Sequence, residues 1–503
     1  MIRALAPNRT RLADGATAMT PASDSALEAL HATATNIFTG SIKACSVATA
    51  FDRRICFERN RMYRLLPDGS GPETIDLSCY KKIFVIAIGK AASPMLEVLL
   101  QRMDRRKGLR GICCSNELPK KRSWRFRYFE GGHPFPNEDS FAAARAALGM
   151  LRKARKDTLI FFLISGGGSA LFDLPLDPRI SLDDTIAFHQ VLVASGAPIA
   201  EVNTLRKHFS AVKGGRLAIA APDSAKVSLL LPDVPLRSLD ALSSGPTSPD
   251  HSTVAEVRAL LDKYDLKSKF PPAVRAFFER EDLPESPGNK GWRPPFFPKF
   301  PKPGAIFARR ITNAASMSEE AAPFRDSVFE ILLSSHDLAE NARALAQKAG
   351  FHVEVDNSCD DWDYADAARY LLERFHALRA VHPKLCLISV GEVTVTLDRT
   401  PGAGGRNQQF VMECALELES YPRERLTVLS AGSDGIDGNT RSAGAVADPT
   451  TVTRAHNFGF HLKSSLAAYD ACPMFTALGD AVVTGPTGNN LRDLRLLIAD
   501  NDD

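Results

Sequence analysis

No run of about 18 consecutive apolar residues occurs in the chain, so a membrane-spanning helix is not expected. The opening stretch, MIRALAPNRTRLADGATAMTPASD, lacks an apolar core of signal-peptide length. Residues 1–24 therefore read as a disordered tail of a cytoplasmic protein, with organelle targeting through Arg3, Arg9 and Arg11 as the alternative. The nine cysteines include no C-x-x-C pair and no histidine stands at metal spacing, which removes a disulfide framework and a zinc site and leaves a reducing compartment. Net charge is small for this length, +3 from 62 basic and 59 acidic residues. A basic stretch between Arg102 and Arg127, with Arg105, Arg106, Lys107, Lys120, Lys121 and Arg122, has no nucleic-acid module beside it and reads as solvated surface. Without G-x-x-x-x-G-K-[ST] this is not a P-loop enzyme, and without G-x-G-x-x-G dinucleotide binding lacks its fingerprint.

What is present is a set of apolar runs that each stop at a glycine-rich or acidic turn. They read KIFVIAIGKAA from Lys82, TLIFFLISGGGSA from Thr158, KVSLLLPDV from Lys226, KLCLISVGE from Lys384, LTVLSAGSDGIDG from Leu426 and DAVVTGPTG from Asp480. Continuous rather than alternating apolar character suits strands of a parallel sheet covered on both faces. Ligands in such sheets sit outside the carboxyl ends of the strands, where these glycines lie.

Helical patterning separates the runs and gives an α/β fold. A helix from Lys90 to Arg106 places Met95, Leu99 and Met103 on one face, and Ser181 with Asp184 forms a capping box. A helix over 199–212 carries Asn203, Lys207 and Ser210 on a stripe that reads as solvated, and stops at Lys213-Gly214-Gly215. Residues 284–304 contain seven prolines and can form neither helix nor central strand, so they read as a linker or surface loop. This divides the chain into an N-terminal domain over 25–283 and a C-terminal α/β domain over 305–503, which opens with a strand at 329–333, a helix at 337–349 and a strand at 351–355.

Glycines between a strand and a helix let backbone N–H groups approach an anion, and phosphate is the natural guest. Lys90, in a first helical turn, opposes the helix dipole unless an anion is held there. Arg406 presents a planar fork suited to phosphate or carboxylate. In DGIDG, Asp434 and Asp437 either hold Mg²⁺, accept a hydroxyl proton, or form an Asx turn.

Together GKAASPM, GGHPFPNEDS, SGGGSAL, NTLRKHFSAVKGGRLA, LSSGPTSPD, GGRNQQF, SDGIDG and TGPTGNNLRDLR resemble the ATP-dependent glycerate 2-kinase family in order, over about 25–498. The resemblance implies a larger Rossmann-like N-terminal domain and a smaller C-terminal α/β domain, whose motif core is about 384–498, with the active site in the cleft between them. It implies transfer of the γ-phosphoryl of ATP to the 2-hydroxyl of D-glycerate with Mg²⁺. Catalytic roles fall to Lys90, Arg406, Asp434 and Asp233. Nucleotide binding falls to Ser165, Gly166, Gly167, Gly168, Ser169 and Lys213, substrate binding to Lys207, Glu392, Asn407 and Asn490, and Mg²⁺ to Asp233 and Asp434. The partners implied are small molecules, with no nucleic acid or membrane, and a homodimer is the assembly entertained.

The chain departs from the family where S-D-V-x-G-D becomes Pro232-Asp233-Val234-Pro235-Leu236-Arg237, and where Arg441 replaces an acid after DGIDG. These losses keep two alternatives open, another small hydroxy or sugar acid as acceptor or a non-catalytic nucleotide-binding relative; a hydroxypyruvate reductase, a label attached to members of the family, is the third, and the missing dinucleotide fingerprint argues against it.

Overall fold

The computed structural model describes residues 24–65, 72–103, 108–287, 324 and 327–500. Most of the expected tail, Arg105 to Lys107, and 288–304 of the proline-rich segment lie outside the described residues. A small antiparallel sheet comes first, from β1 (Ile55–Glu58), β2 (Arg61–Arg64) and β3 (Glu73–Asp76). The first large sheet holds β4 (Lys82–Ile88), β5 (Leu109–Ser115), β6 (Phe126–Glu130), β7 (Thr158–Ser165), β8 (Ala225–Leu231) and β9 (Ser327–Ile331), in the order β6-β5-β4-β7-β8-β9. Every pairing in it is parallel. Both faces are covered, which is why the runs are continuously apolar. Ile83, Val85 and Ala87 face one core with helix Ala92–Met103, while Phe84, Ile86 and Ile88 face another with helix Glu138–Leu151.

The second large sheet holds β10 (His352–Val355), β11 (Leu385–Gly391), β12 (Leu426–Gly432), β13 (Gly444–Ala447), β14 (Ala481–Val482) and β15 (Asp493–Ala499), in the order β10-β11-β15-β12-β13-β14. This sheet is mixed. β15 lies antiparallel between β11 and β12, so its first residue, Asp493, reaches the same edge as their last residues, Gly391 and Gly432. The run at Asp480 supplies only the two-residue edge strand β14, antiparallel to β13. Helices Tyr364–Arg379 and Arg406–Leu418 cover one face of this sheet.

The α/β class holds, but the chain does not divide at the proline-rich segment. β9, expected in the C-terminal domain, pairs with β8 in the first sheet. Helix Asp24–Ala44, expected in the N-terminal domain, packs on helix Ser335–Lys348 and on β12 and β15. Its buried stripe of Leu30, Ala34, Ile37 and Phe38 joins one core that also contains strand residues of both large sheets. Sequence neighbours do not decide such pairings, because an open strand edge and an uncovered sheet face accept whatever complementary segment the chain returns to them.

The capping box of Ser181 and Asp184 is formed at 3.0 Å in both directions. The helix after Lys90 starts only at Ala92, so Lys90 precedes it and the dipole argument for its placement lapses. The helix expected over 199–212 ends at Phe209, because Ser210 is extended and bridges to Pro175.

Candidate active site

On the first sheet, β4 and β7 end side by side. Gly89 takes a φ of 113°, the Lys90 N–H donates to the Gly166 carbonyl at 2.9 Å, and the Ala91 N–H donates to Ser165 Oγ at 2.9 Å. The glycines that follow make room for particular neighbours. A Cβ on Gly166 would collide with the Asp233 carboxylate, one on Gly168 with Ser243 Oγ, and one on Gly167 would stand 3.0 Å from Lys90 Cγ. Ser243 and Ser244, both at positive φ, lock the loop from behind: Ser243 Oγ donates to the Ser165 carbonyl at 2.7 Å, and Ser244 Oγ lies 2.9 Å from Ser169 Oγ. Ser165 and Ser169 thus serve the scaffold through their side chains. No described residue accepts from the Gly167 and Gly168 N–H groups, which leaves those donors for an anion.

Lys207 and Lys213 are placed otherwise than expected. Lys213 is 1% exposed and ion-paired with Asp173, which also accepts from the Ser210 hydroxyl at 2.6 Å and meets His189 Nε2 at 2.9 Å. Burial pushes the Asp173 carboxyl up, but Lys213 and His189 more than offset this and hold it below its ordinary range. Lys207 is buried between Asp240 and Asp250, at 2.9 and 3.1 Å. The stripe of Asn203, Lys207 and Ser210 is therefore buried, not solvated. A buried ammonium needs compensation, and these two find it in neighbouring carboxylates.

On the second sheet, Arg406 is the first residue of its helix. Its Nε and Nη2 donate to the two Asp493 oxygens at 2.6 and 3.0 Å, and Nη2 also meets Glu392 at 2.8 Å. The side chain is 36% exposed and Nη1 takes part in none of these bonds. Glu392 follows Gly391 and donates its N–H to Asp360 at 3.1 Å; burial and the nearby Asp493 push its carboxyl up to about 7 against Arg406. Asp434 accepts from the Ile436 N–H at 3.1 Å in an Asx turn. Asp437 turns inward instead and caps helix Arg406–Leu418 through the N–H groups of Asn407 and Gln408. The Asn407 side chain bonds to Asp437 and Ser430, and Asn490 Oδ1 accepts from the Arg492 N–H at 2.9 Å.

Of the expected site residues, the fold brings Lys90 and Asp233 from the first sheet together with Glu392, Arg406 and Asp434 from the second. Burial raises the Asp233 carboxyl while Lys90 and Arg492 oppose it, and burial raises Asp434 while Asp493 adds to this and Lys90 and Arg406 oppose it. Among the described residues neither aspartate is ion-paired within 4.0 Å, and no group of three His, Cys, Asp or Glu could hold a metal alone. Two carboxylates short of positive charge do fit Mg²⁺ that arrives on phosphate oxygens, the usual way this ion is bound.

Three contributors were missed in the sequence. Asp493 anchors Arg406; Arg492 donates to Asp360 at 2.7 Å; His133 has its ring 3.4 Å from where a Cβ of Gly167 would stand, and burial and Lys90 hold its imidazole below the ordinary range. The one signal available was an acid opening an apolar strand run, DLRLLIA. Arg237, at the position of a lost family acid, donates to Asp361 at 3.0 Å and stands 3.7 Å from Asp360, bridging the two halves.

Fold and site define an α/β protein with two large sheets whose strand ends converge on a charged cleft. Residues 33–279 match a domain of unknown function, DUF4147, and residues 385–493 match the MOFRL family. The chain is 31% identical to the glycerate 2-kinase of Pyrococcus horikoshii, across 83% of this chain and 87% of that protein. It is 33% identical to a putative hydroxypyruvate reductase of Agrobacterium vitis, across 82% of this chain and 86% of that one. The crystal structure of glycerate kinase from Thermotoga maritima superposes with a TM-score of 0.73 at 26% identity, across 94% of this chain and all of that one. The chain belongs to the glycerate 2-kinase family.

Proposed function

We propose that this protein is a glycerate kinase that transfers the γ-phosphoryl group of ATP to the 2-hydroxyl of D-glycerate, giving 2-phosphoglycerate and ADP. The observation that carries the reading is the convergence of Lys90 and Asp233 with Glu392, Arg406 and Asp434. Phosphoryl transfer needs positioning and charge neutralisation more than covalent chemistry. Lys90 and the free N–H groups of Gly167 and Gly168 take phosphate oxygens. Arg406, oriented by Asp493 and Glu392, offers its remaining edge to phosphate or to the glycerate carboxylate. Asp434 or Asp233 takes the hydroxyl proton as the new O–P bond forms and the bond to the ADP oxygen breaks, and burial, by raising both carboxyls, makes them stronger bases than ordinary aspartates. When bound, Mg²⁺ neutralises the phosphate oxygens, and Asp233 and Asp434 are the residues that would hold it. Nine cysteines, all free thiols, support a reducing, cytoplasmic setting.

The test is ADP release from MgATP that depends on D-glycerate, with phosphorus NMR to separate 2- from 3-phosphoglycerate. Loss of NADH absorbance with hydroxypyruvate and no ADP release would turn the reading to a reductase. Nucleotide binding without turnover would make the chain a non-catalytic relative.

A further inference from the structure

A cavity of about 660 Å³ opens where helices of the two halves meet. Its walls come from three distant stretches: residues 39–48 at and after the end of the first helix, one face of helix Ala92–Met103, and the loop 483–489. On the helix wall Pro94, Glu97, Val98 and Gln101 recur at i, i+3, i+4 and i+7. That helix starts two residues after Lys90. The loop is bonded to the Asp434 turn, since the Thr487 N–H donates to the Asp434 carbonyl at 3.2 Å and the Thr487 hydroxyl to the Ser433 carbonyl at 2.6 Å. Two walls thus lead directly to the charged cluster, while none of the cluster's residues lines the cavity.

We infer that this cavity takes the adenine and ribose of the nucleotide, with the phosphates leading out past Lys90; this rests on the phosphoryl-transfer reading. The volume falls within the roughly 300–1,000 Å³ of small-molecule sites and far exceeds what a three-carbon acid fills. Ile42, Val47, Pro94, Val98 and Val483 offer aliphatic surface to the flat faces of a base. Asn489 ties the loop to the turn after the first helix, its Nδ2 donating to the Cys45 carbonyl at 2.8 Å. Glu97 supplies a carboxylate acceptor for ribose hydroxyls, the task an acid performs in dinucleotide folds. Lys43 is the one basic side chain lining the cavity, so a triphosphate is not accommodated inside it.

Gln101 and Val483 are exposed at the rim, so Gln101→Trp and Val483→Trp obstruct the cavity without touching the packed core. In both variants the KM for ATP and the Kd for ADP should rise about tenfold or more. The KM for D-glycerate and the melting temperature should stay near wild type. On the unmodified enzyme, photolabelling with 8-azido-ADP should mark peptides covering 39–48, 94–101 or 483–489. Unchanged ATP affinity in both variants, or label confined to the Ser165 loop, overturns the inference. If the wild type releases no ADP with D-glycerate yet the label marks the cavity, the glycerate reading falls and the nucleoside site stands. Kinase activity with the label elsewhere does the reverse.

Discussion

Asp173 and Asp233 belong to the same half of the molecule and both lose solvation on folding, yet their carboxyls move in opposite directions. Asp173 carries Lys213, His189 and the Ser210 hydroxyl directly on its oxygens, and these hold it ionised. Asp233 packs on Gly166 and feels Lys90 and Arg492 only at longer range, so burial wins and its carboxyl is raised. The first arrangement closes its own charge balance and needs nothing from outside. The second has charge that only a proton, a metal ion or a ligand can balance, and such imbalance marks functional sites. Lysine and aspartate occur in both, so residue type does not separate scaffold from site; local compensation does.

The sharpest way to break this comparison is to remove Lys213. Lys213→Met leaves Asp173 buried without its main cation and should lower the unfolding free energy by about 3–5 kcal/mol in urea titration, with turnover of the folded fraction near wild type. Preserved stability with lost nucleotide affinity would return Lys213 to the nucleotide site. Lys90→Ala should do the opposite: turnover falls about a hundredfold to a thousandfold, or about 3–4 kcal/mol, while the urea midpoint stays put. Near-normal turnover would remove Lys90 from the chemistry.

A smaller effect is expected from pH. Folding raises the Glu392 carboxyl from 4.5 to about 7, so the folded state binds the proton more tightly. Its contribution to stability is full below about 4.5 and is lost as pH rises to about 7, with a slope of at most about 1.4 kcal/mol per pH unit. Asp173 runs the other way, contributing above its ordinary value of 3.8 and losing that contribution as pH falls below it. Glu392→Gln should therefore flatten the neutral limb of a urea-unfolding pH profile and leave the acid limb. An unchanged neutral limb would show that Glu392 does not carry it. The smallest effect belongs to Arg237→Ala, which removes an exposed pair and should cost about 0.2–1 kcal/mol at low salt and nothing measurable at high salt. A larger loss would mean that the bridge to Asp361 holds the halves closed.

Strand runs and turns were legible because burial on both faces writes a continuous apolar pattern, as in β4 and β7. β15 escaped notice because its glycine-rich turn precedes the strand, and with it went Asp493. The placement of β9 and of helix Asp24–Ala44 was hidden for another reason: each joins a sheet formed by distant segments. Site residues divided in the same way. Lys90, Asp233, Glu392, Arg406 and Asp434 stand at or just beyond strand ends or open a helix and reach the cleft. Lys207 and Lys213 share a residue type with Lys90, and Asn407 adjoins Arg406, but they are engaged by Asp240 and Asp250, by Asp173, and by Asp437 with Ser430.

The sequence by itself determined the α/β alternation, the strand-end turns and the types of charged residue placed at them, because apolar period and glycine conformation act over a few residues. Only the tertiary structure decided which charges are cancelled. Arg406 and Asp493 are 87 positions apart, and Arg237 and Asp361 are 124 apart. Coulomb energy and desolvation depend on spatial neighbours, so the difference between a closed ion pair and an open site exists only once segments distant in sequence have come together.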